Sequence, residues 1–593
     1  MATPESILIA DIGSVKTKVG LIDQVGDEFR VIGTSTSLTT IGAQGNDVLV
    51  GVRRAIEQIQ ARTNRRLLSG EGALLTPESA DGQGVDAFVA VTSAPPPLRV
   101  AIVGLSREVS VAAAARAING TYALVEATIA LDQMGGRWLK VESNGDKSGD
   151  SAATKTKLQD PSVLAAETLA RAMPDVIVLV GGIDGGATNA LYEIANLIAA
   201  IAGARDEDAR PHIIFAGNRE ARAEISARLG VVAPLRVVDN VHPALERENI
   251  TPLMRELETL YEERRITNAP AFSALSKWLT IPIMPAARSF EYAIRFLSRH
   301  LMQGVLGVDM GGTTTTLVAA RGESYTRTVR SDLGLGRSAE KIIAQAGVER
   351  LYGWSTGDDL TIEDAHARWL NRAVHPAVIP TTQEDWHLCQ ALAREALMIA
   401  ARDAQIEINE INLVVLSGGI FSRNSNQGGL ALLALDALEP RGPVTLSVDS
   451  FGLLPAYGAL ALVNPLAAAH VISQDGFSPL ATAVTATSFY REGTVEVRIK
   501  MKSPGAGEMS VEVEHGSLEL IPVAAGQKAT LEVRPAPGVN LNEDSPRRGP
   551  LKIEIEGGAL GLIVDARGRP IAFPTPLDKR RVKTQEWLWD VGG

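Results

Sequence analysis

Cysteine is almost missing from this 593-residue chain, which carries only Cys389. One thiol closes no intrachain disulfide and cannot by itself supply a cysteine-ligated zinc site or an iron–sulfur cluster. Basic charge is also in deficit: 58 Lys and Arg against 69 Asp and Glu leave a net charge of −11, with no long basic run. Broad electrostatic binding to nucleic acid or anionic lipid is therefore disfavoured, although a local basic pocket is not. No run of about 18 to 20 apolar residues goes uninterrupted, and the polar opening MATPES leads straight into a strand-like segment, so a cytoplasmic protein is expected. The phosphate-binding pattern GxxxxGK[ST] and the zinc pattern HExxH are both absent from the sequence.

What is present is ordinary globular material, 45% apolar and 21% charged. The length exceeds what one core supports and predicts about three or four domains. Short β-type runs at Ile7 to Ala10, Val19 to Ile22 and Phe29 to Ile32 read as a three-stranded meander. From Arg99 the rhythm becomes alternating strand and helix, with apolar runs at Val100 to Val103, Val176 to Val180, His212 to Phe215 and Leu235 to Val238. Within that stretch, Ser143 to Asp160 has almost no apolar residues and is expected to be a loop. The meander texture returns at Gly304. After about Ser473 the alternation is purely β-type, and Trp587 and Trp589 are expected to fix the terminus by burial. The expected domains are 1–98, 99–300, 301–472 and 473–593.

The most informative feature is a distant repeat. ILIADIGSVKTKVGLI at 7–22 and VLGVDMGGTTTTLVAA at 305–320 place Asp11 and Asp309 at the same point of a strand–turn–strand pattern, 298 positions apart. Small residues let backbone N–H groups approach phosphate oxygens, hydroxyls add donors, and a strand-end aspartate can hold hydrated magnesium or orient water. Either turn alone is an ordinary Asp-Gly hairpin. A third element, LVVLSGGIF at 413–421, supplies the glycine pair Gly418 and Gly419 where a sheet end must let a ligand pass close to backbone. PAYGALA at 455–461 is a small-residue helix suited to close packing at a hinge.

Two such hairpins, a later strand ending in GG and a closing AYGA helix resemble the actin, Hsp70 and sugar-kinase ATPase superfamily. Within it the chain is similar to the glutamate mutase accessory proteins called MutL, which are unrelated to the mismatch-repair proteins of that name. FVAVTSAPPPLRVAIVGL, VIVLVGGIDGG, IIFAGN, DNVHP, VDMGGTTTT and TVRSDLGLGRS carry the likeness, over most of residues 1–470. The resemblance implies an α/β, two-lobed actin-like ATPase fold with an α/β insertion, and the sequence adds a C-terminal all-β domain. It further implies ATP or ADP with Mg2+ as ligands. Asp11, Gly13, Ser14, Thr17 and Lys18 would form the first phosphate loop, and Asp309, Gly311, Gly312, Thr313 and Thr314 the second. Asp11 and Asp309 would act on the metal and the attacking water, and Gly418 and Gly419 would face the adenosine. Gly182, Asp184 and Gly186 are further ligand-facing candidates, and Asn218 is expected to cap a helix.

One departure stands out: the family's second loop resembles DIGGATTD, and here Thr316 takes the place of the last acid, which removes a support for the metal. The closest approach to the cobalamin pattern DxHxxG, Asp364-Ala365-His366, lacks its glycine. The resemblance thus implies an ATP-dependent, chaperone-like accessory factor for an adenosylcobalamin-dependent mutase or its cobalamin-binding subunit. A small-molecule kinase and a nucleotide-controlled actin-like scaffold remain as alternatives.

Overall fold

The structure is a computed structural model that describes residues 3–41, 46–134, 161–356, 360–424, 426–488, 490–503, 507–541 and 550–592. The expected loop Ser143 to Asp160 lies outside the described residues. The chain forms two compact units, one of Met1–Pro95 with Ile266–Gly593 and one of Pro96–Arg265. Among the described residues no helix is long and apolar enough to cross a membrane.

The larger unit begins with β1 (Ile7–Ile12), β2 (Lys16–Val25) and β3 (Glu28–Leu38), an antiparallel meander. Every residue of β1 is buried, as a strand covered on both faces requires. Helix α1 (Val48–Thr63) starts where Asp47 accepts a hydrogen bond from the Leu49 N–H, 2.9 Å. It leads to β4 (Ala87–Thr92), which pairs parallel to β1.

The smaller unit is a parallel sheet of β5 (Leu98–Gly104), β6 (Ala123–Ala130), β7 (Val176–Val180), β8 (His212–Phe215) and β9 (Leu235–Val237). The strand order is β6-β5-β7-β8-β9. Between strands, the helix Asn189–Gly203 buries Leu191, Ile194, Ala195 and Ile198, the 3,4 spacing of one helical face.

The larger unit resumes with the short β10 (Met284–Pro285), which pairs with β4, and helix α2 (Ala286–Leu301). Residues 266–300, grouped with the insertion by the sequence reading, pack in the larger unit because α2 turns Phe290, Ile294 and Leu297 into its core. Next come β11 (Val305–Met310), β12 (Thr315–Arg321) and β13 (Ser324–Arg330), a second antiparallel meander. After helix α3 (Gln383–Ala404), β14 (Leu413–Ser417) pairs parallel to β11, as β4 does to β1. β15 (Gly442–Asp449) follows, then helix α4 (Leu454–Leu460).

The duplication holds at the level of register. Asp11 faces Lys18 across its hairpin and Asp309 faces Thr316. On the parallel side Asp11 lies beside Val91 and Asp309 beside Ser417. This is the actin-like ATPase fold, with its two meander-based sheets meeting through α2 and α4. One core joins Ile9 and Val91 of the first sheet, Val305 and Val415 of the second, and Phe290 and Tyr457 of these helices.

The C-terminal residues are strand-rich, as expected, and some of their strands also extend the second sheet. β16 (Phe477–Thr485) pairs with β15 and extends the second sheet. β17 (Val495–Ser503), β18 (Gly507–Glu514), β20 (Lys528–Pro535) and β21 (Leu551–Glu556) form a four-stranded antiparallel sheet. β19 (Leu518–Ile521) and β22 (Gly561–Asp565) return to the second sheet, which reads β13-β12-β11-β14-β15-β16-β22-β19. Buried ion pairs reinforce that junction: Arg567 reaches Asp436 at 2.7 Å and Asp565 at 2.8 Å, and Arg394 reaches Asp436 at 2.9 Å. Removing one partner would strand a buried charge. In the last helix, α5 (Leu577–Asp590), Trp587 is buried beside Phe573 and Arg567, whereas Trp589 is exposed.

Close packing of α2 on α4 explains the small residues of PAYGALA. A Cβ on Gly458 would lie 1.8 Å from the Ser289 carbonyl oxygen, and the Ser289 hydroxyl donates to the Pro455 carbonyl. Gly458→Ala therefore forces the helices apart and should lower stability by about 1–3 kcal/mol, read as an earlier urea midpoint.

Candidate functional site

Both turns close on one hydrogen bond, from the Gly13 N–H to the Lys16 carbonyl at 3.0 Å and from the Gly311 N–H to the Thr314 carbonyl at 2.8 Å. They meet each other. A Cβ on Gly312 would lie 2.4 Å from Val15 Cγ2 and 3.1 Å from Ser14 Oγ, so a glycine is needed for the turns to approach this closely. The segment around Gly334 backs the second turn: Leu335 N–H donates to the Gly311 carbonyl at 3.0 Å, Gly336 N–H to that of Gly312 at 2.9 Å, and the Ser338 hydroxyl to that of Thr313 at 3.0 Å. The carbonyls of this turn are thereby engaged from behind. The Thr313 and Thr314 hydroxyls lie 3.4 Å apart.

Thr17 is placed differently from the expectation. Strand alternation puts it on the opposite face of β2 from Lys16 and Lys18. There it is fully buried, with its hydroxyl 2.9 Å from that of Thr39. Thr39 in turn donates to the Gly13 carbonyl at 2.7 Å. Thr17 thus braces the first turn from behind.

Lys18 sits among three carboxylates. Its ammonium is 3.4 Å from Asp11 and donates to the Gly452 carbonyl at 2.6 Å. Burial works against its charge, but Asp11, Asp309 and Asp449 together hold its proton more tightly than usual. Burial raises Asp11 despite Lys18. Burial also pushes Asp309 up to about 7, with Asp11 and Asp449 adding to the rise and Lys18 and the Ser417 hydroxyl opposing it. Asp449, fully buried, is raised by burial as well. It accepts the Ser417 hydroxyl at 2.7 Å and the N–H groups of Gly452 and Leu454 at 2.8 and 2.9 Å. Among the described residues, no three His, Cys, Asp or Glu side chains form a metal-binding group by themselves.

Gly418 and Gly419 differ sharply. Gly418 has φ +103° and its Cβ would lie 2.2 Å from the Met310 carbonyl oxygen, whereas a Cβ on Gly419 meets nothing within 4 Å. The first is fixed by backbone geometry, and the second borders open space.

Sequence reasoning missed Asp449, Ser417, Lys16, Arg372 and Arg423. Asp449 had a usable signal, because it ends a strand just before a glycine turn and PAYGA. Arg372 had none, since only folding carries its helix back to the second turn, where its Nε donates to the Leu335 carbonyl at 2.7 Å.

In the smaller unit, Gly182, Asp184 and Gly186 follow β7, at the strand's carboxyl end. Their polar groups are engaged with neighbouring loops. Asp184 accepts from Asn240 Nδ2 at 2.9 Å and from the Arg219 N–H at 3.0 Å; partial burial raises it, yet these bonds bring it below the usual carboxylate range. Asn240 also donates to the Gly182 carbonyl and Asn218 Nδ2 to that of Gly186, both at 2.9 Å. Asn218 Oδ1 meanwhile accepts the Glu220 N–H at 3.0 Å, the expected cap.

The model of the family described as MutL protein matches residues 7–475, most of the chain and both glycine turns. The chain belongs to the MutL family. This is the glutamate mutase accessory family, not the mismatch-repair one. No protein of curated function matches the sequence. Among solved structures, a nucleotide-free acetone carboxylase is similar at 11% identity, covering 86% of this chain and 81% of its own, with a TM-score of 0.29. A glycerol dehydratase reactivase matches at 12% identity over 77% and 99%, TM-score 0.28. Component A of the (R)-2-hydroxyglutaryl-CoA dehydratase of Acidaminococcus fermentans matches at 10% identity over 78% and 99%, TM-score 0.26. At these scores the likenesses say nothing of function, and the fold assignment rests on strand order and register.

The raised Asp309 gives this MutL-family chain a signed pH dependence. A carboxyl that keeps its proton longer when folded than when unfolded supports the fold fully below about pH 4, the unfolded range, and that support is lost as pH rises through about 7. Asp309→Asn should therefore gain stability over the unsubstituted chain between pH 4 and 7, with the difference level above 7. Thermal midpoints of both proteins in chelator across that range check this.

Proposed function

We propose that the protein binds Mg·ATP between the two glycine turns and hydrolyses it, as a chaperone-like accessory or reactivating factor for an adenosylcobalamin-dependent mutase or its cobalamin-binding subunit. The observation that carries the nucleotide reading is the contact of the two turns beside the carboxylates gathered around Lys18. Membership of the MutL family supports the partner class.

In this reading the turn amides of Ser14, Gly312 and Thr313 receive phosphate oxygens, with Thr314 beside them, and Gly419 leaves room for the adenosine. Gly13 and Gly311 close the turns. Magnesium, when bound, would offset the charge of the phosphate oxygens during transfer to water. The donor set fits it: two strand-end carboxylates, Asp11 and Asp309, with too few protein ligands for a closed shell, suit a cation that keeps water and phosphate ligands. Burial leaves both carboxylates short of compensating charge. Asp309 would also orient the attacking water. Lys18 would give up the Gly452 carbonyl for a phosphate oxygen. Gly452 belongs to the turn that enters α4, so this exchange biases the helix crossing and supplies the differential affinity that lobe movement requires. With Thr316 in place of an acid, slow turnover is expected.

Asp11→Asn and Asp309→Asn should each weaken Mg·ATP binding or slow hydrolysis at least tenfold while the fold persists. Unchanged calorimetric affinity and phosphate release in both would defeat the site. Gly419→Val should weaken nucleotide binding with the denaturation midpoint unchanged, whereas Gly418→Ala should lower that midpoint. For the partner, an inactivated mutase is given this protein, Mg2+, ATP and fresh adenosylcobalamin. Recovery of activity that needs ATP is expected; no recovery with mutases encoded beside it would count against the accessory role, and phosphate found on a small molecule would favour a kinase.

A further inference from the structure

Lys18 is surrounded by carboxylates, but among the described residues the neighbouring cations are not. Lys16 is two residues before Lys18 on the same face of β2, roughly 7 Å along the strand, at the first residue after the Ser14–Val15 tip. Burial, then the Arg423 and Arg372 guanidinium groups, then Lys18, press its ammonium down to about 8, and no carboxylate among the described residues acts the other way. Among the described residues neither the Lys16 ammonium nor the Arg423 guanidinium has a hydrogen bond or ion pair. Arg423 follows directly on the helical turn Gly419–Ser422, and burial lowers it with no acid among the described residues to offset the loss. Arg372 is anchored by the Leu335 carbonyl, whose own N–H holds the second turn. Three cations from three segments thus converge beside both glycine turns. In a chain of net charge −11, such a cluster, with no counter-charge among the described residues, is electrostatically costly unless an anion joins it. Guanidinium groups suit phosphate oxygens, which they can meet in pairs.

We propose that Lys16, Arg372 and Arg423 form a subsite for a phosphoryl group, next to but distinct from the carboxylates around Lys18. Its ligand is a phosphate dianion, either free inorganic phosphate or the outermost phosphate of a ligand in the cleft. The subsite rests on the nucleotide reading only for the source of that phosphate.

The test is calorimetric titration of the full chain with inorganic phosphate, in chelator, alone and after saturation with ADP. Saturable binding is expected, weakened at least tenfold in Lys16→Gln and in Arg423→Gln, and unchanged in Arg498→Gln, an exposed site on β17. Binding that persists with ADP present identifies released phosphate as the source. Binding that ADP abolishes identifies the nucleotide's own outer phosphate. Both variants should keep the unsubstituted denaturation midpoint, so the loss cannot be unfolding. No saturable binding at millimolar phosphate with or without ADP, or equal weakening in all three variants, overturns the subsite. Phosphate binding with the expected losses, in a chain that neither binds nor hydrolyses ATP, would keep the subsite and overturn the proposed function instead.

Discussion

Burial of several carboxylates around a single ammonium governs the centre of the larger unit. Asp11, Asp309 and Asp449 all lie near Lys18, and one positive charge does not neutralise three negative ones in a poorly solvated place. The consequence is visible in the raised carboxyls and in the bonds the cluster makes. Asp449 is satisfied by backbone N–H groups at the start of α4, and Lys18 by Asp11 and the Gly452 carbonyl. The same interaction therefore links the first meander, the end of the second sheet and the helix that packs on α2.

Duplication produced the frame, and divergence between its halves produced the asymmetry. The first hairpins of the two meanders agree residue for residue in register, yet the position opposite the strand-end aspartate is Lys18 in one and Thr316 in the other. Only the first half contributes a central cation. The second contributes the hydroxyl-rich turn and, through Ser417 and Gly418 on β14, the platform beside Asp309. The family's usual acid would add another negative charge at Thr316, next to a carboxyl that already holds its proton to about pH 7.

Much of the fold was legible because its signals are local. The hairpins, the glycine pair and the small-residue helix are fixed by strand periodicity and by turn chemistry within a few residues. What was not legible has local causes too. Thr17 was carried over with the family's motif, although alternation along β2 turns it away from Lys18. The C-terminal region is legible as strand-rich, but alternation shows that a strand exists and not which sheet it joins. β16, β19 and β22 went to the second sheet.

By itself the sequence determined the two glycine turns, the aspartates that precede them and the alternation of strands and helices, all properties of neighbouring residues. Tertiary structure alone decided that the turns meet tip to tip, that Asp449 joins Asp11 and Asp309, and that Arg372 and Arg423 come to Lys16. Those approaches depend on how closely backbones pack at Gly312, Gly418 and Gly458. Such contacts bring together segments hundreds of residues apart, and no spacing within one segment encodes them.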